Sequence, residues 1–349
     1  MTRTEHNNRE LSVTLLTGFL GAGKTTILNK YLASAAGAGT AVLVNEFGDV
    51  DVDGTIIGAT SGGGQMVSLP NGCVCCEMQD DLSAALLELE ARRDADGGIS
   101  RCIIETSGLA DPGSILRTVG RDPRLKAGFK VAQTICVAAA PSILDQVTRF
   151  VEAAEQIALA DRIVISKSDL VADDVVNEIN SVLSSRNPLA ELAIMDIEAG
   201  VEALFMPSPK PGLARHESHL DDGCAHDHQH GYDHHHSHHQ GHDHGHDHDH
   251  SHDHTHGIAS FSIQLDSPLD QDVFRDVLSF WIMRHSEALL RVKGFLSFAE
   301  EAETQLVNIV HDVCSIEPLG GETRGSFLVF IGIGLPENEI RRDLERCAI

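Results

Sequence analysis

The sequence predicts an α/β chain: a doubly wound, mostly parallel sheet, followed by a small C-terminal α+β domain. Three observations carry this. Short apolar runs, among them 11–16, 41–45 and 162–165, alternate with helix-compatible stretches, as β–α units do. One strand-to-helix junction is a glycine-rich loop that ends in lysine and threonine. A histidine tract then interrupts the chain, and strand-like and helical patterns resume after it.

The junction reads Thr17-Gly18-Phe19-Leu20-Gly21-Ala22-Gly23-Lys24-Thr25-Thr26, between an apolar strand and a helix-compatible stretch from Ile27 to Ala36. Gly18, four residues, then Gly23-Lys24-Thr25 is the pattern of a P-loop NTPase. Its glycines let the backbone turn N–H groups, including those of Gly21, Ala22, Gly23 and Thr26, onto phosphates at the positive end of the helix. Lys24 is expected on the β and γ phosphates, and Thr25 on Mg²⁺ through its hydroxyl. An ordinary glycine-rich turn with a surface lysine is the alternative, and the agreement of every fixed position with both flanking elements argues against it.

The chain has 349 residues, 42% of them hydrophobic, which suits two domains with a sizeable core. Its formal net charge of −26 argues against nucleic acid or an anionic membrane surface as partner and favours cations. The first ten residues lack an apolar signal region, and no later run is long enough to span a membrane, so a cytoplasmic protein is expected. Eight cysteines, three of them within four positions, suggest reduced thiols and a metal site.

A second strand, 41–45, ends in Glu46-Phe47-Gly48-Asp49, followed by Asp51 and Asp53. Carboxylates here can reach Mg²⁺ or a second metal, and equally can form a solvated acidic loop, so no single one is assigned a role. After a flexible Ser61 to Gly64 segment comes Leu69-Pro70-Asn71-Gly72-Cys73-Val74-Cys75-Cys76, leading into a helix from about Asp80 to Arg93. Cys73, Cys75 and Cys76 converge on one ion if the backbone turns between Gly72 and Cys76. Thiolates suit Zn²⁺, Cu(I) or Co²⁺ over Mg²⁺, and three ligands leave a position open for exchange. The bland alternative, small core residues, fits poorly beside Asn-Gly and a glutamate.

A third strand, 101–105, carries Glu105-Thr106-Ser107-Gly108 at its carboxyl end, where ligands of a parallel sheet gather. Glu105 is expected to hold Mg²⁺ through water, and the Gly108 N–H to meet the γ-phosphate. Thr134 to Ala140 reads as a strand, Ser142 to Ala160 as a helix, and Arg162 to Ile165 as a strand opening into Ser166-Lys167-Ser168-Asp169. Asp169 can accept from guanine N1 and N2, and Lys167 belongs to the same base-binding turn. A Lys-x-Asp alone is usually a surface pair; its place after an apolar strand, downstream of the P-loop, gives it meaning. Helix 173–184 and a strand near 193–195 complete the first domain.

Pro207 to Gly212 marks a linker. Residues 216 to 256 hold 18 of the 21 histidines, nine Asp or Glu, Cys224 and no Lys or Arg, a composition that cannot make a core. His242, His244, His246, His248 and His250 alternate with Asp and Gly, placing many imidazoles within reach of one divalent ion. Strands at 259–265, 293–299, 305–310 and 325–332 and helices at 271–290 and 337–346 follow. The expected domains are a tail at 1–10, a P-loop GTPase domain at 11–205, a His-rich metal-binding linker at 206–257, and a C-terminal domain at 258–349.

With the P-loop, Asn45-Glu46-Phe47-Gly48, the Leu69 to Cys76 run, Glu105-Thr106-Ser107-Gly108-Leu109-Ala110-Asp111-Pro112 and Ser166-Lys167-Ser168-Asp169 in one order, the chain resembles the CobW-type GTPases over nearly its whole length. That family is similar to the nickel-handling GTPases of urease and hydrogenase maturation, and its members are taken as metal chaperones or insertion factors. Arg291-Val292-Lys293-Gly294 and Phe330-Ile331-Gly332 are similar to its second domain. Two positions depart from the pattern: Ser166 stands where the guanine motif usually begins with Asn, and Val137-Ala138-Ala139-Ala140 replaces a strand ending in Val-Asp-Ala.

The resemblance implies a slow GTPase whose nucleotide state governs Zn²⁺ or Co²⁺, with Ni²⁺ a further candidate, on its way to a client metalloprotein. The rivals are a metal buffer with vestigial GTPase activity and a P-loop kinase for a small molecule, against which Asp169 argues. Because the histidine tract lacks core-forming residues, deleting 216–256 is expected to leave folding and GTP hydrolysis nearly intact while lowering the number of Zn²⁺ or Ni²⁺ ions bound. Calorimetric titration and thermal melting in metal-free buffer check both halves of that expectation.

Overall fold

The computed structural model describes residues 10–45, 65–68, 77–96, 98–196, 200–207, 257–321 and 325–349, without the side chains of 45, 65–68, 77–80 and 94–96. Seven strands form the first sheet: β1 Leu11–Thr17, β2 Thr40–Asn45, β3 Gln65–Ser68, β4 Arg101–Thr106, β5 Phe129–Ala139, β6 Arg162–Ser166 and β7 Glu191–Ile194. Their order is β3-β2-β4-β1-β5-β6-β7, and every neighbouring pair is parallel. All the loops that leave the strands' carboxyl ends therefore open on one edge, where an open parallel sheet holds its ligands.

Its helices are α1 Lys24–Ala33, α2 Glu77–Asp96, α3 Pro112–Arg121, α4 Pro123–Lys126, α5 Ile143–Arg149, α6 Val151–Ala158 and α7 Asp173–Arg186. Both faces of the sheet are covered, which is why its strands read as continuous apolar runs. In β4, Cys102 and Ile104 pack toward α2 and α3, and Ile103 packs toward α1 with Ile27, Leu28 and Tyr31. Burial pushes the Cys102 and Cys136 thiols up to about 12, so both are neutral core residues rather than metal ligands.

The second sheet is antiparallel. β8 Ile258–Leu265, β9 Leu289–Leu296, β10 Gln305–Val310, β11 Val313–Pro318 and β12 Ser326–Ile333 lie in the order β11-β10-β9-β12-β8. Helices α8 Gln271–His285 and α9 Glu337–Glu345 cover one face with Phe274, Leu278, Trp281, Ile340 and Leu344. The other face closes on the first domain: Leu290, Val310, Val329 and Ile331 share a core with Ile115 and Val119 of α3 and Ala154 and Ala158 of α6. These two helices thus lie between the sheets.

Several elements differ from the sequence expectation. The helix expected over 142–160 is two, because Phe150 is extended (φ −123°, ψ 120°) and packs its ring 4.8 Å from that of Phe19. The helix expected over 271–290 stops at His285, since Leu289 and Leu290 enter β9 and are buried there. β5 begins at Phe129, ahead of the expected Thr134, because its first half alternates with exposed residues. Helix α3 has no counterpart in the sequence expectation, although Asp111 caps it by accepting from Gly113 N and Ser114 N, with Pro112 in the first turn.

A largely buried charge cluster joins the sheets. Asp161, just before β6, accepts at Oδ1 from Arg291 at 2.5 Å and Lys293 at 2.6 Å, and at Oδ2 from Thr134 N at 2.9 Å. Arg291 also donates to Leu159 O. Burial alone would raise the Asp161 carboxyl, but the two cations hold it well below the usual carboxylate range. A depressed folded pKa stabilises the fold above the unfolded value of about 3.9, and the contribution is lost as pH falls toward the lower folded one. Asp161→Asn leaves two cations without their counter-ion and is expected to lower stability at pH 7 by about 3 kcal/mol, as broken buried pairs do. Urea unfolding of both forms, repeated at descending pH, should show the gap narrowing below about pH 4.

Candidate functional site

The glycine-rich loop leaves β1 at Thr17 and enters α1 at Lys24, and its conformation explains its glycines. Gly18, Gly21 and Gly23 have φ of 138°, 73° and 98°, a region closed to other residues without strain. Gly18 is doubly constrained, since a Cβ there would fall 2.2 Å from the Val137 carbonyl oxygen on the adjoining strand. Gly23 is the N-cap of α1 and has no side chain with which to cap it, so the first-turn N–H groups are presented to the loop.

Lys24 is buried, and its Nζ donates to Gly18 O at 2.6 Å and Phe19 O at 3.3 Å. Burial lowers its pKa, while the nearby Glu105 carboxylate opposes the shift. The ammonium is thus held on the loop's own carbonyls, in the hollow its glycines make. Thr25 donates from Oγ1 to Glu105 Oε1 at 2.6 Å, which brings the end of β4 to the start of α1. A hydroxyl and a carboxylate, both oxygen donors, suit a hard cation such as Mg²⁺. Thr106 donates to Thr17 at 3.0 Å one residue further on, a contact the sequence did not signal.

After β4 the chain turns at Ser107 to Ala110, with Ala110 N donating to Ser107 O. Gly108 lies against the P-loop: a Cβ on it would come within 2.6 Å of Leu20 N. After β6, Ser166 donates to Ala22 O at 2.7 Å and Lys167, at φ 56°, donates to Gly21 O at 2.8 Å. Both residues of this turn therefore brace the P-loop. Asp169 follows in a single 3₁₀ turn and is exposed. The structure thus brings together Gly18, Gly21, Ala22, Gly23, Lys24, Thr25, Thr26, Glu105, Gly108, Lys167 and Asp169 on the carboxyl edge of β1, β4 and β6.

Comparison with known proteins gives the arrangement its family. Residues 12–193 match the family described as CobW/HypB/UreG, nucleotide-binding domain, and residues 258–348 match the cobalamin synthesis protein cobW C-terminal domain. The chain belongs to the CobW/HypB/UreG family. Among its relatives, a protein named zinc chaperone YjiA from Escherichia coli is 32% identical over 95% of this chain and 96% of its own length. The zinc chaperone CobW of Pseudomonas aeruginosa is 31% identical over 96% of this chain and 91% of its own. The crystal structure of Zn(II)-bound YjiA GTPase from E. coli superposes with a TM-score of 0.67 at 27% identity, covering 97% of this chain and 99% of that one.

In this CobW-family chain, Cys73, Cys75 and Cys76, the acidic stretch 46–53 and the histidines His242, His244, His246, His248 and His250 lie outside the described residues. Among the described residues, no three of His, Cys, Asp or Glu are grouped to hold a metal ion, and no helix is long and apolar enough to cross a membrane. Ser166, which stands where the guanine motif usually begins with asparagine, uses its hydroxyl on the P-loop backbone at Ala22 O. Asp169→Ala is accordingly expected to reduce the preference for GTP over ATP by about 1 to 3 kcal/mol, the cost of an unmet buried donor. Competition binding with the two nucleotides measures this, and equal affinity for both in the unaltered protein rules the assignment out.

Proposed function

We propose that this protein is a GTP-hydrolysing metallochaperone that carries zinc, binding GTP on the P-loop and metal on Cys73, Cys75 and Cys76. The observation that carries the reading is the hydrogen bond from Thr25 to Glu105. It ties the residue after the P-loop lysine to the strand whose next turn contains Gly108. Zinc is favoured over cobalt and nickel because three relatives that match over most of this chain are named zinc chaperones, and thiolates suit zinc as a ligand set.

The geometry supports the following roles. Gly21, Ala22, Gly23 and Thr26 turn backbone N–H groups toward the phosphates, and Lys24 exchanges its loop carbonyls for phosphate oxygens. Thr25 and, through water, Glu105 would hold Mg²⁺, which supplies positive charge against the phosphates. The γ-phosphate accepts from Gly108 N–H, and the turn 107–110 follows it. Asp169 selects guanine, with Lys167 keeping its turn on the P-loop. Hydrolysis needs water positioned in line more than covalent chemistry, and among the described residues neither an arginine nor a glutamine is assigned to it, which implies slow turnover.

Metal and nucleotide are coupled because the cysteines lie in sequence between β3, one strand removed from the strand that carries Glu105, and α2, which packs on that strand. Coupling of this kind is typically roughly 5- to 150-fold, and linkage requires metal to change GTP affinity by the same factor. Zn²⁺ and Co²⁺ should be titrated into the protein lacking 216–256, with GDP or a non-hydrolysable GTP analogue, and again with all three cysteines changed to serine. The expected result is tighter metal binding in one nucleotide state that vanishes in the serine variant. Equal binding in both states leaves a metal buffer instead. A client metalloprotein that accepts the zinc completes the proposal.

A further inference from the structure

Helix α6 is apolar where it faces the core: Ala153, Ala154, Ile157 and Ala158 are all buried. Gln156 stands among them with no exposed surface. Its Nε2 donates to Gly108 O at 3.1 Å and to Ala110 O at 3.2 Å, while its Oε1 has no hydrogen-bond partner among the described residues. A buried amide that leaves its acceptor unmet is a poor choice for stability alone, since an apolar residue of the same shape avoids that penalty. What the amide does provide is a hold on the turn after β4 at two carbonyls, on either side of the exposed Leu109.

We propose that Gln156 is a positioning residue that holds the turn 107–110 in its GTP-binding arrangement and thereby sets the preference for GTP over GDP. This rests on the reading of Gly108 as the γ-phosphate contact. Gly108 is fixed from two sides. The P-loop at Leu20 lies so close that no side chain fits, and Gln156 grips its carbonyl from behind. The arrangement so held is the one in which Gly108 lies against the P-loop. Without the amide the turn is free to leave, and GDP, which lacks the γ-phosphate, does not need it there. Only the triphosphate form loses affinity.

The test uses Gln156→Met, which keeps the length and removes both donors, with Asn187→Ser as control. Asn187 is another buried amide serving α6: it donates to Ile157 O at 2.8 Å, Ala158 O at 3.1 Å and Ala160 O at 2.8 Å, but does not touch the turn. Both variants should melt below the unaltered full chain. Gln156→Met is expected to lower affinity for a non-hydrolysable GTP analogue about 5-fold or more, within the usual range of coupling, with GDP affinity changed by less than about 2-fold. Asn187→Ser should leave the ratio unchanged. If Gln156→Met melts lower but keeps the ratio, its role is packing and the proposal fails. Should Gln156→Met not fold, Gln156→Asn takes its place, and failure of both to fold also assigns the residue to packing and overturns the proposal. Gly108→Ala separates this proposal from the reading beneath it: the added Cβ has no room against Leu20 and must displace the turn with its N–H, so an unchanged GTP-to-GDP ratio there means that the turn does not contact the γ-phosphate, whereas a ratio lost in Gly108→Ala and kept in Gln156→Met removes Gln156 alone.

Discussion

Parallel pairing of β1 between β4 and β5 is the constraint on which the candidate site depends. Parallel neighbours send their carboxyl ends the same way, so the P-loop after β1 and the Glu105 turn after β4 must open together, and the Asp169 turn after β6 joins them on the same edge. The approach is close enough to dictate residue type. Gly18 has no room for a Cβ beside Val137 O, and Gly108 has none beside Leu20. A short set of bonds then stitches the three loops into one surface: Thr25 to Glu105, Thr106 to Thr17, Ser166 to Ala22 and Lys167 to Gly21. Side chains make every one of these links, and two of them end on backbone carbonyls of the P-loop itself.

Helices α3 and α6 extend that surface to the second sheet. α3 begins at Asp111, directly after the turn that holds Gly108, and α6 holds the same turn through Gln156. Both helices share their core with the antiparallel sheet, and Arg291 grips Leu159 O and Asp161 just beyond α6. The antiparallel domain is thus packed on the two helices most directly attached to the turn that holds Gly108. Buried charge makes that joint selective in geometry: Asp161 is satisfied only while Arg291, Lys293 and Thr134 N all reach it.

The chain's own residues fixed much of this in advance. Apolar runs and a glycine-rich junction announced a parallel α/β sheet, because strands covered on both faces must be apolar throughout and a phosphate loop must be free to take positive φ. The position of Glu105, Gly108, Lys167 and Asp169 on the carboxyl edge of the sheet was legible because each lies at or just past the end of an apolar strand. The lengths of β5 and of the helices around Phe150 were less so. Local pattern cannot tell that a ring will leave its helix to pack on Phe19, a residue far off in sequence.

What only the tertiary structure decided is which polar groups serve one another. Asp161 reads in sequence as an ordinary loop acid, and Gln156 as a break in a helix's apolar face. Their partners, Arg291 and Lys293 for one and the Gly108 and Ala110 carbonyls for the other, lie 130, 132, 48 and 46 residues away. Hydrogen bonds and ion pairs at such separations depend on the folded path of the backbone, and hydrophobic periodicity records only which side of an element faces inward, not what it meets there.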